Sequence, residues 1–274
     1  MIYQVSNNDF VKQKIGGWTL YTNKSFPSKK IQALIPAGDL NGVRGPFERV
    51  IASRFARVYK CSASFKGLRN DFYFKQFLYR SPLDFIKHLF RPGRAIRSLK
   101  ASIVLDKCGL LSPEVIAVGQ RKIGPVVLKS FLITRSIENS LSLTELVLNT
   151  KVCLKEKRQF LSELGSVIGR MHSAGVFHGD LRAGNILIKK TNDKYRFYFL
   201  DNERTRQFKR LPNKLRVKNL VQINMFRIFE LSITDRMRFY KSYLNENKDA
   251  IDSPKSLAKE VARKTDERLK SKPL

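Results

Sequence analysis

The sequence predicts an α+β chain folded in two lobes. A small N-terminal lobe holds an antiparallel sheet with one main helix, and a larger C-terminal lobe is mainly helical. Three observations carry this expectation. Short runs rich in β-branched and aromatic residues are confined to the first half. Helical apolar periodicity dominates the second half. The connection from Arg135 to Leu141 separates the two regimes, which sets lobes at residues 1–134 and 135–274. With 42% hydrophobic and 11% aromatic residues in 274, the chain has material for real cores and is not a disordered basic tail.

The elements follow in order. Phe47–Ala63 and Asp71–Leu78 read as strands, with Ser64-Phe65-Lys66-Gly67 as the turn between them. Ser81-Pro82 offers a cap and first-turn proline for a short helix, Leu83–Phe90, which stops at Pro92-Gly93. A second helix, Arg94–Cys108, places Ile96, Leu99 and Ile103 on one face and ends at Gly109 as C′. Strands at Glu114–Val118 and Pro125–Thr134 complete the first lobe.

In the second lobe, Lys155–Ala174 aligns Phe160, Leu161, Leu164, Val167, Ile168 and Met171 on one stripe, and Gly175 closes it. Later helices are expected at Lys218–Leu231, at Asp235–Leu244 with Thr234 as cap, and at Pro254–Lys270 with Ser253 as cap.

Charge narrows the partners. Fifty-three Lys and Arg against 23 Asp and Glu give a net charge of +30. The run Arg204–Lys218 holds seven basic residues and no acid. Such a field favours anionic partners, whether nucleic acid, acidic lipid or a phosphorylated glycan. No RNA- or DNA-binding signature accompanies the charge, so nucleic acid is not expected. No apolar run reaches the ~18 residues of a membrane span, and Met1–Phe10 lacks the layout of a secretory signal. Cys61, Cys108 and Cys153 are widely spaced, without a CxxC pair, as suits a reducing compartment. The expected location is the cytoplasm.

One stretch carries chemistry. Val176-Phe177-His178-Gly179-Asp180-Leu181-Arg182-Ala183-Gly184-Asn185 is followed by a strand, the turn Thr191-Asn192-Asp193-Lys194, and a second strand, Tyr195–Leu200, that runs into Asp201. This order brings three oxygen donors to one point: Asp180 and Asn185 on a single loop, and Asp201 at a strand mouth. Hard oxygens of this kind suit Mg²⁺ on a nucleotide phosphate, with one carboxylate left to orient a hydroxyl. His178 reads as a structural hydrogen-bonding residue. His172 and His88 lack ligand spacing and read as incidental.

His178–Asn185 resembles the catalytic loop of the protein-kinase-like superfamily, and Asp201 resembles its metal-binding Asp. The Gly after the His, in place of Arg, is more usual in its small-molecule and sugar kinases. Further pieces resemble the lipopolysaccharide core kinases, the Kdo and heptose kinase family. They are Phe72-Tyr73-Phe74-Lys75-Gln76-Phe77, Leu89–Ala95, Cys108–Pro113, Phe131-Leu132-Ile133-Thr134 and Asp235–Tyr240, so the likeness covers roughly residues 47–244.

The resemblance implies a bilobal protein-kinase-like fold, ATP and Mg²⁺ as cofactors, and transfer of the γ-phosphoryl group to a sugar hydroxyl. Asp180 is then the catalytic base, and Arg182 neutralises charge on the transferred group. Asn185 and Asp201 hold the metal, and Lys75 contacts the α/β-phosphates. Thr134, Ser136 and the Ile137 backbone line the adenine side. The implied acceptor is an anionic glycolipid, lipopolysaccharide core, met at an acidic membrane surface by a peripheral protein.

Two departures stand out. The helix Arg94–Cys108 contains no Glu to pair with Lys75, and Ala52-Ser53-Arg54-Phe55-Ala56 contributes no glycine where a phosphate-covering loop is expected. Competing readings are a protein Ser/Thr/Tyr kinase or other small-molecule kinase of the same fold, and a basic pseudokinase or binding module.

Overall fold

Strand alternation fixes the first sheet. In a computed structural model describing residues 9–26, 47–50, 55–65, 68–79, 91–149, 152–227, 229–247 and 251–271, seven antiparallel strands form one sheet. They are β1 (Phe10–Ile15), β2 (Trp18–Asn23), β3 (Phe47–Val50), β4 (Ala56–Phe65), β5 (Leu68–Phe77), β6 (Val115–Ile123) and β7 (Val126–Arg135). Their spatial order is β1-β2-β6-β7-β5-β4-β3.

Odd and even positions serve two cores. Cys61, Phe72, Phe74, Phe131 and Ile133 bury one face, where Phe74 stacks on Phe131 at 4.9 Å. Phe77, Val115 and Val118 bury the other beneath Ala95, Ile96 and Leu99 of helix α1 (Arg94–Lys107). Ile103, expected on the same stripe, packs partly buried against this cluster. Gly109 ends α1 as expected, with its N–H on Asp106 O and the Leu110 N–H on Leu105 O.

Two expectations change here. Phe47–Ala63 is a hairpin of two strands, because Phe47 to Val50 fold back on Cys61 to Val58. The sheet also gains the β1–β2 hairpin, absent from the sequence reading. Most of β1 is exposed, so its residues Phe10-Val11-Lys12-Gln13-Lys14-Ile15 lack a strand's alternation. The short helix Leu83–Phe90 with His88, the turn residues Lys66-Gly67, and Ala52–Arg54 lie outside the described residues.

Contacts divide the chain into two compact units: Met1–Ile103 with Pro113–Ser136, and Val104–Ser112 with Ile137–Leu274. The second contains β8 (Leu141–Ser142), α2 (Leu143–Leu148), α3 (Leu154–Ser173), β9 (Val176–Phe177), β10 (Ile186–Thr191), β11 (Lys194–Phe199), β12 (Arg206–Gln207), α4 (Asn213–Ile223), α5 (Ile233–Asn245) and α6 (Pro254–Lys270).

Helix α3 buries two faces. Phe160, Leu161, Leu164, Ile168 and Met171 enter the main core. On another face, a Cβ at Gly165 would lie 2.2 Å from Phe239 O, and one at Gly169 would lie 2.7 Å from Glu246 Cβ. Only glycines let α3 and α5 approach this closely. Ser232 and Asp235 form a capping box that starts α5 two residues before the expected cap, Thr234. Helix α4 starts at Asn213 and ends at Ile223, not at Lys218 and Leu231. After it, Arg236 donates to the carbonyls of Asn224, Phe226 and Leu231 and thereby braces a non-helical connection.

Candidate functional site

The loop between β9 and β10 is built from its backbone outward. β9 pairs with β12, Phe177 opposite Arg206, and this brings residue 204 against the loop. Gly179 sits at φ +81°, and a Cβ there would lie 2.6 Å from Arg204 Cβ and 2.7 Å from Arg204 O. A side chain at this position is excluded by both backbone sign and space. That is the local reason for Gly between His178 and Asp180.

His178 is fully buried, its Nε2 3.3 Å from Asn202 Oδ1, and burial lowers its pKa from the ordinary imidazole value. It is a buried hydrogen-bonding residue, as read from the sequence.

The Asn185 side-chain amide donates to Asp180 O at 2.9 Å, and the Leu200 N–H donates to Asn185 O at 2.8 Å. Asn185 is thus tied both to Asp180 and to the residue before Asp201. Hairpin β10–β11 delivers that neighbour through a two-residue turn, Asn192-Asp193, with both residues at positive φ. Asp201 is exposed and itself left-handed, φ 54°. Such a conformation in a non-glycine residue is uncommon and gathers at functional sites. The Arg182 Nε lies 2.8 Å from Asp180 Oδ1, with Arg182 mostly exposed and Asp180 partly so.

These residues fit a hydrated Mg²⁺. The Asn185 amide nitrogen is already engaged, which leaves its oxygen, and Asp201 adds a carboxylate. Two hard oxygens of this kind leave the remaining positions for water and phosphate. Among the described residues no cluster of three His, Cys, Asp or Glu forms a metal cage.

In the first unit, Lys75 pairs across the sheet with Leu132 and Tyr73 with Thr134. Directly paired residues share a face, so Lys75 and Thr134 stand on the α1-covered side with Phe77 and Leu132. Lys75 Nζ lies 5.5 Å from the Phe77 ring centre. α1 carries no acid in its first turn, in keeping with the missing Glu. The Ser136 N–H donates to Asp71 O at 2.8 Å, and Ile137 O accepts from Ser140 Oγ at 2.7 Å. Asp180, Arg182, Asn185 and Asp201 therefore come together within the second unit. Lys75, Thr134 and Ser136 lie in the first unit, and Ile137 lies in the second.

The sequence reading missed what holds the loop. Asn219 Oδ1 accepts the His178 N–H at 3.2 Å, and Gln222 Oε1 accepts the Leu181 N–H at 3.3 Å, both from α4. His172, read as incidental, is fully buried against Asn219 and Tyr243.

Residues 60–243 match the lipopolysaccharide kinase (Kdo/WaaP) family. The 3-deoxy-D-manno-octulosonic acid kinase of Mannheimia succiniciproducens is 32% identical over 97 residues, 35% of this chain and 39% of that protein. The lipopolysaccharide core heptose(I) kinase WaaP of Escherichia coli is 24% identical over 148 residues, 51% of this chain and 56% of that protein. The matches thus span about two fifths to just over half the length of these relatives. A solved structure of WaaP in complex with acyl carrier protein shares the fold, with TM-score 0.65 and 18% identity over 90% of this chain and 98% of that one. The family match covers well over half of the residues, and the chain belongs to the lipopolysaccharide kinase (Kdo/WaaP) family.

Proposed function

We propose that the protein is an ATP-dependent kinase of the lipopolysaccharide inner core that phosphorylates a hydroxyl of 3-deoxy-D-manno-octulosonic acid (Kdo). The observation that carries this reading is the Asp180–Asn185 loop, tied by a hydrogen bond to Leu200, the residue before Asp201. The chain's greater identity to a relative named for Kdo than to one named for heptose supports the choice of sugar.

The Asp180 carboxylate, steadied by Arg182, orients the acceptor hydroxyl and takes its proton as the oxygen attacks the γ-phosphorus. The bond from that phosphorus to the β,γ-bridging oxygen breaks, and ADP leaves. Asn185 and Asp201 would hold Mg²⁺, which offsets the charge gathering on the phosphates. Lys75 would contact the α/β-phosphates. Thr134, Ser136 and Ile137 would border the adenine, within a nucleotide lobe of residues 1–134 and an acceptor lobe of 135–274.

An anionic acceptor fits the charge. Kdo is an acid, and the loop's near neighbours are basic. Arg204 abuts Gly179, Arg206 pairs with Phe177, and Lys218 Nζ lies 5.5 Å over the Phe177 ring. We place the reaction at the cytoplasmic face of the inner membrane. The net charge of +30 supports a peripheral, electrostatic attachment there, and among the described residues no helix is long and apolar enough to cross a membrane. Incubation with γ-labelled ATP and lipid-linked acceptors ending in Kdo or in heptose tests the reading. Label on the Kdo acceptor is expected. Label on the heptose acceptor alone would reassign the sugar, and label on neither would refute the function.

A protein partner is proposed as well. The second unit holds a cavity of about 420 Å³ among α2 to α6, lined by Leu161, Leu220, Phe239, Tyr240 and Val261 among others. Ile233 and Met237 line it too and are themselves exposed. An acyl chain is the ligand that this apolar lining suits, and the WaaP neighbour was solved with acyl carrier protein. Acylated carrier protein should therefore raise the melting temperature, and the unacylated form should not. Equal effects of both forms would refute the cavity as the acyl site.

A further inference from the structure

We infer that Arg216 is a positioning residue for the Asp180 loop, acting through a one-way hydrogen-bond relay of Tyr243, His172, Asn219 and Gln222. The inference rests on the reading of Asp180 as catalytic base and adds the device that aims it.

The direction of the relay follows from donor chemistry. Arg216 is fully buried, and a guanidinium only donates. Its Nη1 donates to Tyr243 Oη at 2.6 Å and to Asn247 Oδ1 at 2.9 Å. Tyr243 has one hydroxyl proton. Having accepted from Arg216, it gives that proton to His172 Nδ1, 3.0 Å away. A neutral imidazole whose Nδ1 accepts carries its own proton on Nε2. That nitrogen lies 3.3 Å from Asn219 Oδ1.

The far end requires the same orientation independently. Asn219 Oδ1 also accepts the His178 N–H, so this atom is the oxygen and the His172 nitrogen facing it must donate. Asn219 Nδ2 then donates to Gln222 Oε1 at 3.0 Å, and that oxygen accepts the Leu181 N–H. Two peptide groups flanking Asp180 are thereby gripped by carboxamide oxygens. The orientation of those oxygens is supported from the other end of the relay by a buried cation. Asn247 secures the head of the relay by donating to Gly169 O at 2.9 Å and Tyr243 O at 3.1 Å.

The split between kcat and KM is the decisive readout, since a merely structural role for Arg216 acts only through lost stability, while the His172 tautomer checks the direction of the relay. With three histidines in the chain, long-range proton–nitrogen correlation spectra are sparse enough to assign. The wild-type ring should be neutral at pH 7, protonated at Nε2 and bare at Nδ1. Tyr243→Phe removes the donor to Nδ1, leaves the Nε2 proton on Asn219, and should lower kcat about tenfold with the ATP KM within about twofold, as small misplacement of a catalytic group does. Arg216→Lys, which keeps a donor, should retain more kcat than Arg216→Met. If the Arg216 variants do not fold, Tyr243→Phe carries the test alone.

Leu257→Ala, in the core but outside the relay, is the control for lost stability. A wild-type His172 protonated at Nδ1 or charged would overturn the inference. So would full kcat in Tyr243→Phe, or an equal fall in Leu257→Ala. If Asp180→Asn instead keeps its activity, the catalytic reading falls and the positioning role falls with it. An inactive Asp180→Asn beside fully active relay variants sinks the positioning role.

Discussion

At Gly179 the demands of one residue are plain. A methyl group there meets Arg204 within 3 Å on a backbone of φ +81°, so Gly179→Ala should cost about 2 kcal/mol or more of stability and displace Asp180. Urea unfolding with a kinase assay checks this, and a variant as stable and active as wild type would contradict it. The string His178-Gly179-Asp180 was legible because loop chemistry here depends on residue types at fixed short spacing. Asn219 and Gln222 were not legible. Their value lies in which backbone N–H groups they face across 41 residues, and no local pattern records that.

At the scale of elements, helices with one apolar face were placed well and α4 was not. In α4, Arg216, Asn219 and Gln222 are buried beside Val217, Leu220 and Val221, so polar and apolar positions no longer mark outside and inside. The amphipathic signal cancels, and a helix moved toward the next apolar residues looks equally good. α3 was found because its Phe160–Met171 stripe is apolar, while its second buried face was hidden in two glycines.

The polar burial also has a pH signature. Burial first, and then the charge of Arg216, push His172 down to about 3, against a smaller opposing hydrogen bond from Asn219. The folded ring therefore refuses a proton that the unfolded ring takes up below its ordinary value of 6.5. Stability should be full above that pH and fall as pH drops toward 3, by about 1.4 kcal/mol per pH unit for this one group. His178, also shifted down, adds in the same sense. Urea midpoints from pH 7 to 5 should decline in the wild type and more gently in His172→Gln. Parallel slopes would contradict the assignment.

For the whole molecule, the antiparallel sheet and the helical second half followed from composition regimes, and the +30 charge pointed to an anionic partner. What composition could not supply was the β1–β2 edge and the division of contacts, in which Val104–Ser112 joins the second unit. The basic run beside the loop should matter chiefly for the acceptor. Replacing Arg204, Arg206, Lys209 and Arg210 by Ser should raise the acceptor KM more than the ATP KM, with the difference shrinking in high salt as exposed charges are screened. Equal shifts would leave the charge unexplained.

The most direct measurement is transfer of label from γ-labelled ATP to the Kdo-terminated acceptor by wild type, Asp180→Asn and Asp201→Asn. Asn keeps the shape of Asp and tolerates the left-handed backbone of residue 201, so only a charge is lost. Wild-type transfer with a loss of about 10²–10⁴-fold in each variant, at unchanged circular dichroism, is the predicted result. Comparable turnover in either folded variant would contradict the assignment of the loop as the site of phosphoryl transfer.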